Sequence, residues 1–287
     1  METHGSRPAS PWRRFVAGLL SVLLVIGGVH LVEDHRGARA WADYLAALEE
    51  EAPEPVGEPP HPPLETVVQL ARQYRERALT HLNQGLPDKA CDDLAALFRL
   101  AHHAEAVPLL AGAETEAAIL NQTFEPLRAG LAARQWPESA LQTLQEYLEA
   151  FNLIGNWPRL VQGEQRYALV KTEAMVQRRR LWREGLPKGW LYQNGVSTRG
   201  FFEILMPLAV QPVNRTVVPH LAEAIDYNTD HLVSRHPYRF LAPGLLPRLT
   251  PTLKEIARTQ ATLHQAALAC ALERYRLAHR EYPASLR

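Results

Sequence analysis

Cysteine is almost missing from this chain, with two in 287 residues. That scarcity excludes a disulfide scaffold and a Cys-rich zinc module. Net charge of either sign is missing too, since 31 acidic side chains balance 31 basic ones. Affinity for nucleic acid comes largely from neutralised phosphates, so no nucleic-acid partner is expected. Sixteen glycines against 22 prolines exclude collagen-like and Gly-rich linker architectures. Lysine is scarce, with only Lys89, Lys171, Lys188 and Lys254 among the basic residues. The arginine bias suits forked contacts to carboxylate or phosphate, and equally a GC-rich genome. There is no G-x-S-x-G, no H-E-x-x-H, no P-loop and no dinucleotide fingerprint. Serine is sparse and none has an evident base beside it, so neither a catalytic residue nor a cofactor is expected. No segment sustains an apolar–polar alternation, which removes the usual signal for strands.

The strongest positive feature lies near the N-terminus. Residues 15–32 read FVAGLLSVLLVIGGVHLV, with only His30 able to carry charge. Eighteen helical residues span about 27 Å, close to the hydrocarbon thickness of a bilayer. Arg7, Arg13 and Arg14 precede the segment, and this basic flank places the N-terminus inside. An uncleaved signal anchor is the leading reading. A cleaved signal peptide has a small-x-small site at Ala38-Arg39-Ala40, several charged residues too late. A twin-arginine signal at Arg13-Arg14 is the third. All three put the rest of the chain outside the cytoplasm. The expected organisation is therefore a cytoplasmic stretch 1–14, a transmembrane anchor 15–32, a juxtamembrane helix with a Pro-rich spacer over 33–63, and an exported helical domain 64–287. The partners expected are the membrane, through 15–32, and proteins.

Beyond the anchor the fold class reads as all-α: a transmembrane helix followed by a multi-helix bundle. Residues 37–52 are helical in composition, with Trp41 and Tyr44 placed for a headgroup zone. Six prolines between Pro53 and Pro63 then make a stiff spacer. Helical periodicity predicts segments over 64–84, 87 onward, 108–134 with a bend at Pro126, 136–151, 158–182 and 252–279. A loop is expected over 185–195 because Pro187, Gly189 and Asn194-Gly195 are turn residues. A broken stretch to Pro219 precedes a helix to about 235. Residues 266–272 (AALACAL) have no polar face, so the last helix is expected at the centre of the bundle. A partial repeat, Leu86-Pro87-Asp88 and Trp136-Pro137-Glu138, has the wrong spacing for a helical-hairpin array.

The best chemical cluster is His220, Glu223, Asp226, Asp230 and His231. His220 and Glu223 share a helix face, and the two aspartates extend it. Two histidines and several carboxylates could hold a divalent transition metal in a helical bundle. Carboxylate-bridged bundles use Glu-x-x-His in duplicate, however, whereas here the order is reversed and single, so a solvated polar face is the other reading. His102 and His103 point to different sides and do not chelate together. Arg178, Arg179, Arg180, Trp182 and Arg183 fit either an anionic partner or a helix C-terminus. Cys91 and Cys270 sit in apolar surroundings, as buried thiols or as a pair.

The C-terminal stretch from Ala269 to Leu286, ACALERYRLAHREYPASL, resembles an A-L-E-R-Y-R-L-A-H-G-x-Y-P-x-S-L segment of single-anchor envelope proteins from the planctomycete–verrucomicrobia group. Arg36-Gly37, Ala40-Trp41, Asp93-Leu94, Gly130-Leu131-Ala132-Ala133-Arg134-Gln135-Trp136, Gly163-Glu164-Gln165-Arg166 and Trp190-Leu191-Tyr192-Gln193-Asn194 sit in that family's order. The resemblance implies an anchored envelope protein with no particular activity. The family has Gly where this chain has Arg280 and continues into a short β-rich tail, so the C-terminus is expected to be truncated. A non-enzymatic scaffold in a bacterial inner membrane, with its bulk in the periplasm, is the functional expectation. The alternative is an envelope enzyme or metal-binding bundle using the His220–His231 face.

Overall fold

The computed structural model describes residues 11–51, 64–177, 187–211, 213–214, 216–232 and 238–285. The Pro-rich spacer and the arginine cluster at 178–183 lie outside the described residues. The chain is all-α, with a long apolar N-terminal helix followed by a helical bundle. In order the helices are α1 (Pro11–Glu51), α2 (Leu64–Asn83), α3 (Pro87–Glu105), α4 (Leu110–Ala132), α5 (Glu138–Ala150), α6 (Trp157–Gln177) and α7 (Lys188–Ser197), then α8 (Met206–Leu208), α9 (Pro219–Leu232), α10 (Ala242–Leu245) and α11 (Thr250–His279). A π-helical turn at Phe201–Leu205 leads into α8. Two short strands, β1 (Val210–Gln211) and β2 (Thr216–Val217), pair antiparallel with Val210 opposite Val217.

The chain divides into two compact units that interleave along the sequence. One comprises Met1–Pro55, Leu169–Thr198 and Val233–Leu245, and the other Val56–Ala168, Arg199–Leu232 and Leu246–Arg287. The boundary falls inside α6.

In the larger unit the 3.6-residue periodicity does what it promises. Helices α2 to α5 bury Ala71, Ala78, Leu94, Leu97, Phe98, Ile119, Leu120, Leu141 and Leu144 in one core. Gly85 adopts a positive φ of 71° after α2, and Pro87 opens α3 where no amide donor is needed. α4 runs unbroken through a buried Pro126. A buried carboxylate fastens α2 to α3: Asp93 accepts hydrogen bonds from the Arg77 guanidinium, at 2.7 Å from Nε, and lies 2.9 Å from His81 Nδ1. Burying an acid without such partners would cost several kcal/mol.

The start of α4 is held from a distance. The Leu110 amide donates to Glu164 Oε1 at 2.7 Å, and the Arg159 guanidinium donates to the Glu105 and Ala106 carbonyls. Gly163 is required beside this elbow, because a Cβ there would overlap the Pro108 carbonyl.

Two sequence expectations fail in instructive ways. Residues 188–197 form a helix, where turn residues predicted a loop. And α11 is a flank of the bundle packed on α5 and α4, not its centre. Leu263, Ala267 and Cys270 are buried, while His264, Gln265 and Leu268 face out, Leu268 being 47% exposed. The run of alanines hides a helix with two sides. At its end Glu273 is buried, accepting from Arg276 at 2.7 and 2.9 Å and from the Tyr282 hydroxyl at 2.9 Å. Arg280 closes the helix in the left-handed region, φ 64°, where glycine is the usual occupant.

This rotation of α11 is measurable. Ala267→Glu should destabilise the full chain by several kcal/mol in denaturant unfolding, whereas Leu268→Glu should stay within about 0.5 kcal/mol of the native chain.

Candidate functional site

The N-terminal helix has two chemically different halves. From Phe15 to Val32 its large apolar side chains, Val16 apart, are 50–76% exposed. Among the described residues this is one helix long and apolar enough to cross a membrane. Exposing a Leu, Val or Phe side chain to water forgoes about 1.5–3 kcal/mol each. Past Val32 one face of the helix becomes buried while the other stays exposed. Gly37, Trp41 and Tyr44 are buried at helical spacing, with Leu48 continuing the stripe.

What covers that stripe is α7, the helix that sequence reasoning read as a loop. Gly37 and Gly189 meet backbone to backbone: a Cβ on Gly37 would collide with Gly189, and one on Gly189 with the Glu33 carbonyl. Here the glycines serve close helix packing, not a turn. Trp41 lies 5.7 Å from the Tyr192 ring and 6.0 Å from Tyr44, in tilted and edge-on arrangements that favour aromatic quadrupoles. Leu169 of α6 completes the cluster.

Polar contacts ring this collar. Asp34 Oδ1 accepts from the Gly189 amide at 2.9 Å, at the start of α7 where a negative charge is favoured. Glu33 accepts from the Tyr238 hydroxyl at 3.0 Å and holds the phenol above its ordinary pKa. Asn194 is buried and bridges two segments, donating to the Trp190 carbonyl at 2.7 Å and accepting from the Leu241 amide at 2.9 Å. The Lys171 ammonium donates to the Gly244 carbonyl at 2.6 Å.

The cluster foreseen on α9 is differently employed. Asp226 receives the Leu249 and Thr250 amides on its two oxygens, both at 2.9 Å, and so caps the N-terminus of α11. Asp230 pairs with Arg248 and Glu223 with Lys254, each at 3.1 Å. His231 stacks on Tyr227 with its Nδ1 2.8 Å from the Tyr227 carbonyl. His220 is exposed. The carboxylates thus diverge towards separate partners, and among the described residues no group of three His, Cys, Asp or Glu side chains is placed to hold a metal ion. His102 stacks on Phe151 and pairs with Glu105, while His103 faces solvent. Both cysteines are free thiols; burial pushes Cys91 up to about 11 and Cys270 up to about 12, which keeps thiolate scarce.

One group that sequence reasoning passed over is Glu116 of α4. It is 2% exposed, and its Oε1 has no hydrogen-bond partner among the described residues. Burial, with Glu105 adding like charge and Arg159 opposing, pushes its carboxyl up to about 8. The signal was its register, since position 116 falls on the stripe of Ala113, Ala117 and Leu120.

The folded chain keeps the Glu116 proton after the unfolded chain has lost it, so stability falls as pH rises from about 4.5 to about 8. Glu116→Gln should remove that loss, matching the native chain near pH 4.5 and exceeding it by of order 3 kcal/mol at pH 7. On α9, Asp226→Ala should cost about 1–2 kcal/mol as a lost cap. The double change His220→Ala and Glu223→Ala should stay within about 1 kcal/mol, with no shift in melting on adding EDTA.

No family model, no curated protein and no solved structure matches this chain.

Proposed function

We propose that this chain is a single-pass protein of a bacterial inner membrane, anchored by residues 15–32, with everything beyond residue 33 on the periplasmic side. It belongs in this reading to the single-anchor envelope family that its sequence resembles, and it acts through protein contacts without catalysing a reaction. The observation that carries the proposal is α1 itself. Its apolar half has nothing packed on it among the described residues, and its second half is built into a folded collar without any break in the helix. A secretory leader destined for removal needs no such integration, because cleavage after Ala40 would cut through the stripe formed by Gly37, Trp41 and Tyr44. The basic residues before the segment support the orientation. The contact role draws support from the polar clusters, since Asp93 and Asp226 are committed to fastening helices and Glu273 to holding Arg276 and Tyr282 at the end of α11.

The full chain expressed in bacteria should remain with the membrane after alkaline carbonate extraction. Leu23→Arg with Leu24→Arg should release it, since each arginine at mid-bilayer costs about 2.5–3.5 kcal/mol on insertion scales. A phosphatase fused after Arg287 should be active, and a reporter that fluoresces only when folded in the cytoplasm should be dark. Carbonate release of the native chain, or the opposite reporter pattern, would overturn the proposal. In-cell cross-linking should trap discrete protein adducts whose pattern survives His220→Ala with Glu223→Ala; a chain that cross-links to nothing removes the contact role.

A further inference from the structure

A cavity of about 460 Å³ lies in the larger unit, along one side of α11. That volume falls within the range of small-molecule sites, about 300–1,000 Å³. Its walls are mostly apolar, with Ile154, Val217, Ala222, Leu253 and Ala257 among them. The charged side chains that reach it are both cations. Lys254 and Arg258 stand four residues apart on the same face of α11 and both line the opening. Arg258 makes no ion pair among the described residues.

His264 joins them as a donor, and its tautomer is set by a neighbour. Gln260 accepts the Leu153 amide on Oε1 at 2.8 Å, which fixes its amide orientation. Its Nε2 therefore donates, to the Phe151 carbonyl at 3.3 Å and to His264 Nε2 at 3.0 Å. With Nε2 accepting, the proton of the neutral ring sits on Nδ1. The Thr250 hydroxyl, also in the lining, is buried and has no hydrogen-bond partner among the described residues. No carboxylate among the described residues lines the cavity. Three acids stand beside lining residues, each with partners of its own: Glu223 pairs with Lys254 at the surface, Asp226 accepts the Leu249 and Thr250 amides, and the Glu255 carboxylate is engaged by Asn121 at 2.7 Å. An apolar wall whose charged lining residues are both cations favours an amphiphilic anion over a cation or a neutral polar molecule.

We propose that this cleft binds a small aliphatic carboxylate. Its anionic end sits between Arg258 and Lys254, and its hydrocarbon lies against Ile154, Val217 and Leu253. Glu223 competes with the ligand for Lys254, because an exposed ion pair of this kind is weak and easily opened. The site does not depend on the membrane reading, since its residues all belong to one unit of the fold.

The test is calorimetric titration of the full chain in lipid nanodiscs with octanoate, corrected against empty nanodiscs. Octanoate should bind saturably at one site. Acetate has the charge without the chain, and octylammonium the chain with the opposite charge; neither should bind saturably. Arg258→Ala should weaken octanoate about tenfold or more, as for a lost hydrogen bond to a charged group. Glu223→Gln should tighten it by freeing Lys254, a direction that general loss of structure would not produce. Ala257→Phe, which fills the cavity, should abolish binding. Absence of saturable octanoate binding would overturn the proposal. So would acetate or octylammonium binding as tightly as octanoate, or affinity unchanged in both Arg258→Ala and Glu223→Gln.

Discussion

A helix with some twenty apolar residues and nothing packed against it is unstable in water, and the design of the smaller unit follows from that constraint. The apolar half of α1 has no covering partner among the described residues. The same helix, one turn later, is among the most tightly approached segments of its unit. The change happens at Gly37, where the loss of a side chain lets α7 cross at backbone contact. Two carboxylates just before it, Glu33 and Asp34, satisfy a phenol and a helix amide that the crossing brings together. Apolar surface, close packing and capping therefore succeed one another along a single uninterrupted rod.

Much of this architecture was legible. Apolar spacing located α2, α4, α5 and α11, and the starts of α3, α6 and α9, to within a few residues, because tertiary packing rewards the same stripe that the sequence displays. The failures share a cause. α7 looked like a loop because Gly189 and Asn194-Gly195 are turn residues, yet those glycines face Gly37 and Trp41. Their role is set by a helix some 150 positions away in the chain, which no local window contains. Alanine misled in the opposite direction in α11. It is apolar enough to count towards a buried run and small enough to sit at the surface at little cost, so AALACAL carries no information about which side faces in.

The polar clusters teach a related lesson. Sequence brings His220, Glu223, Asp226 and Asp230 onto one helix face and leaves open whether they converge. In the fold they diverge, because the neighbouring chain offers two amides, an arginine and a lysine at separate points. Conversely, Glu116 attracted no notice because it stands alone, although it is the acid most displaced from water in α4. The segments that carry the family resemblance behave alike. Glu164 caps α4, Tyr192 and Asn194 pack and bridge the collar, Trp136 donates to the Leu127 carbonyl, and Glu273 gathers Arg276 and Tyr282. They are fasteners of the fold.

The continuity of α1 also acts as a ruler. For a chain anchored at 15–32, helical rise puts Gly37 about 7 Å and Trp41 about 13 Å beyond the edge of the hydrocarbon. The headgroup layer on each side of a bilayer is about 5–7 Å thick. The bonds from Asp34 to Gly189 and from Glu33 to Tyr238 then fall within that layer, where water is depleted and competing hydrogen bonds are fewer. For a chain so anchored, bilayer thickness would become a variable of the collar: a thicker membrane would draw these contacts into drier surroundings, and a thinner one would hydrate them.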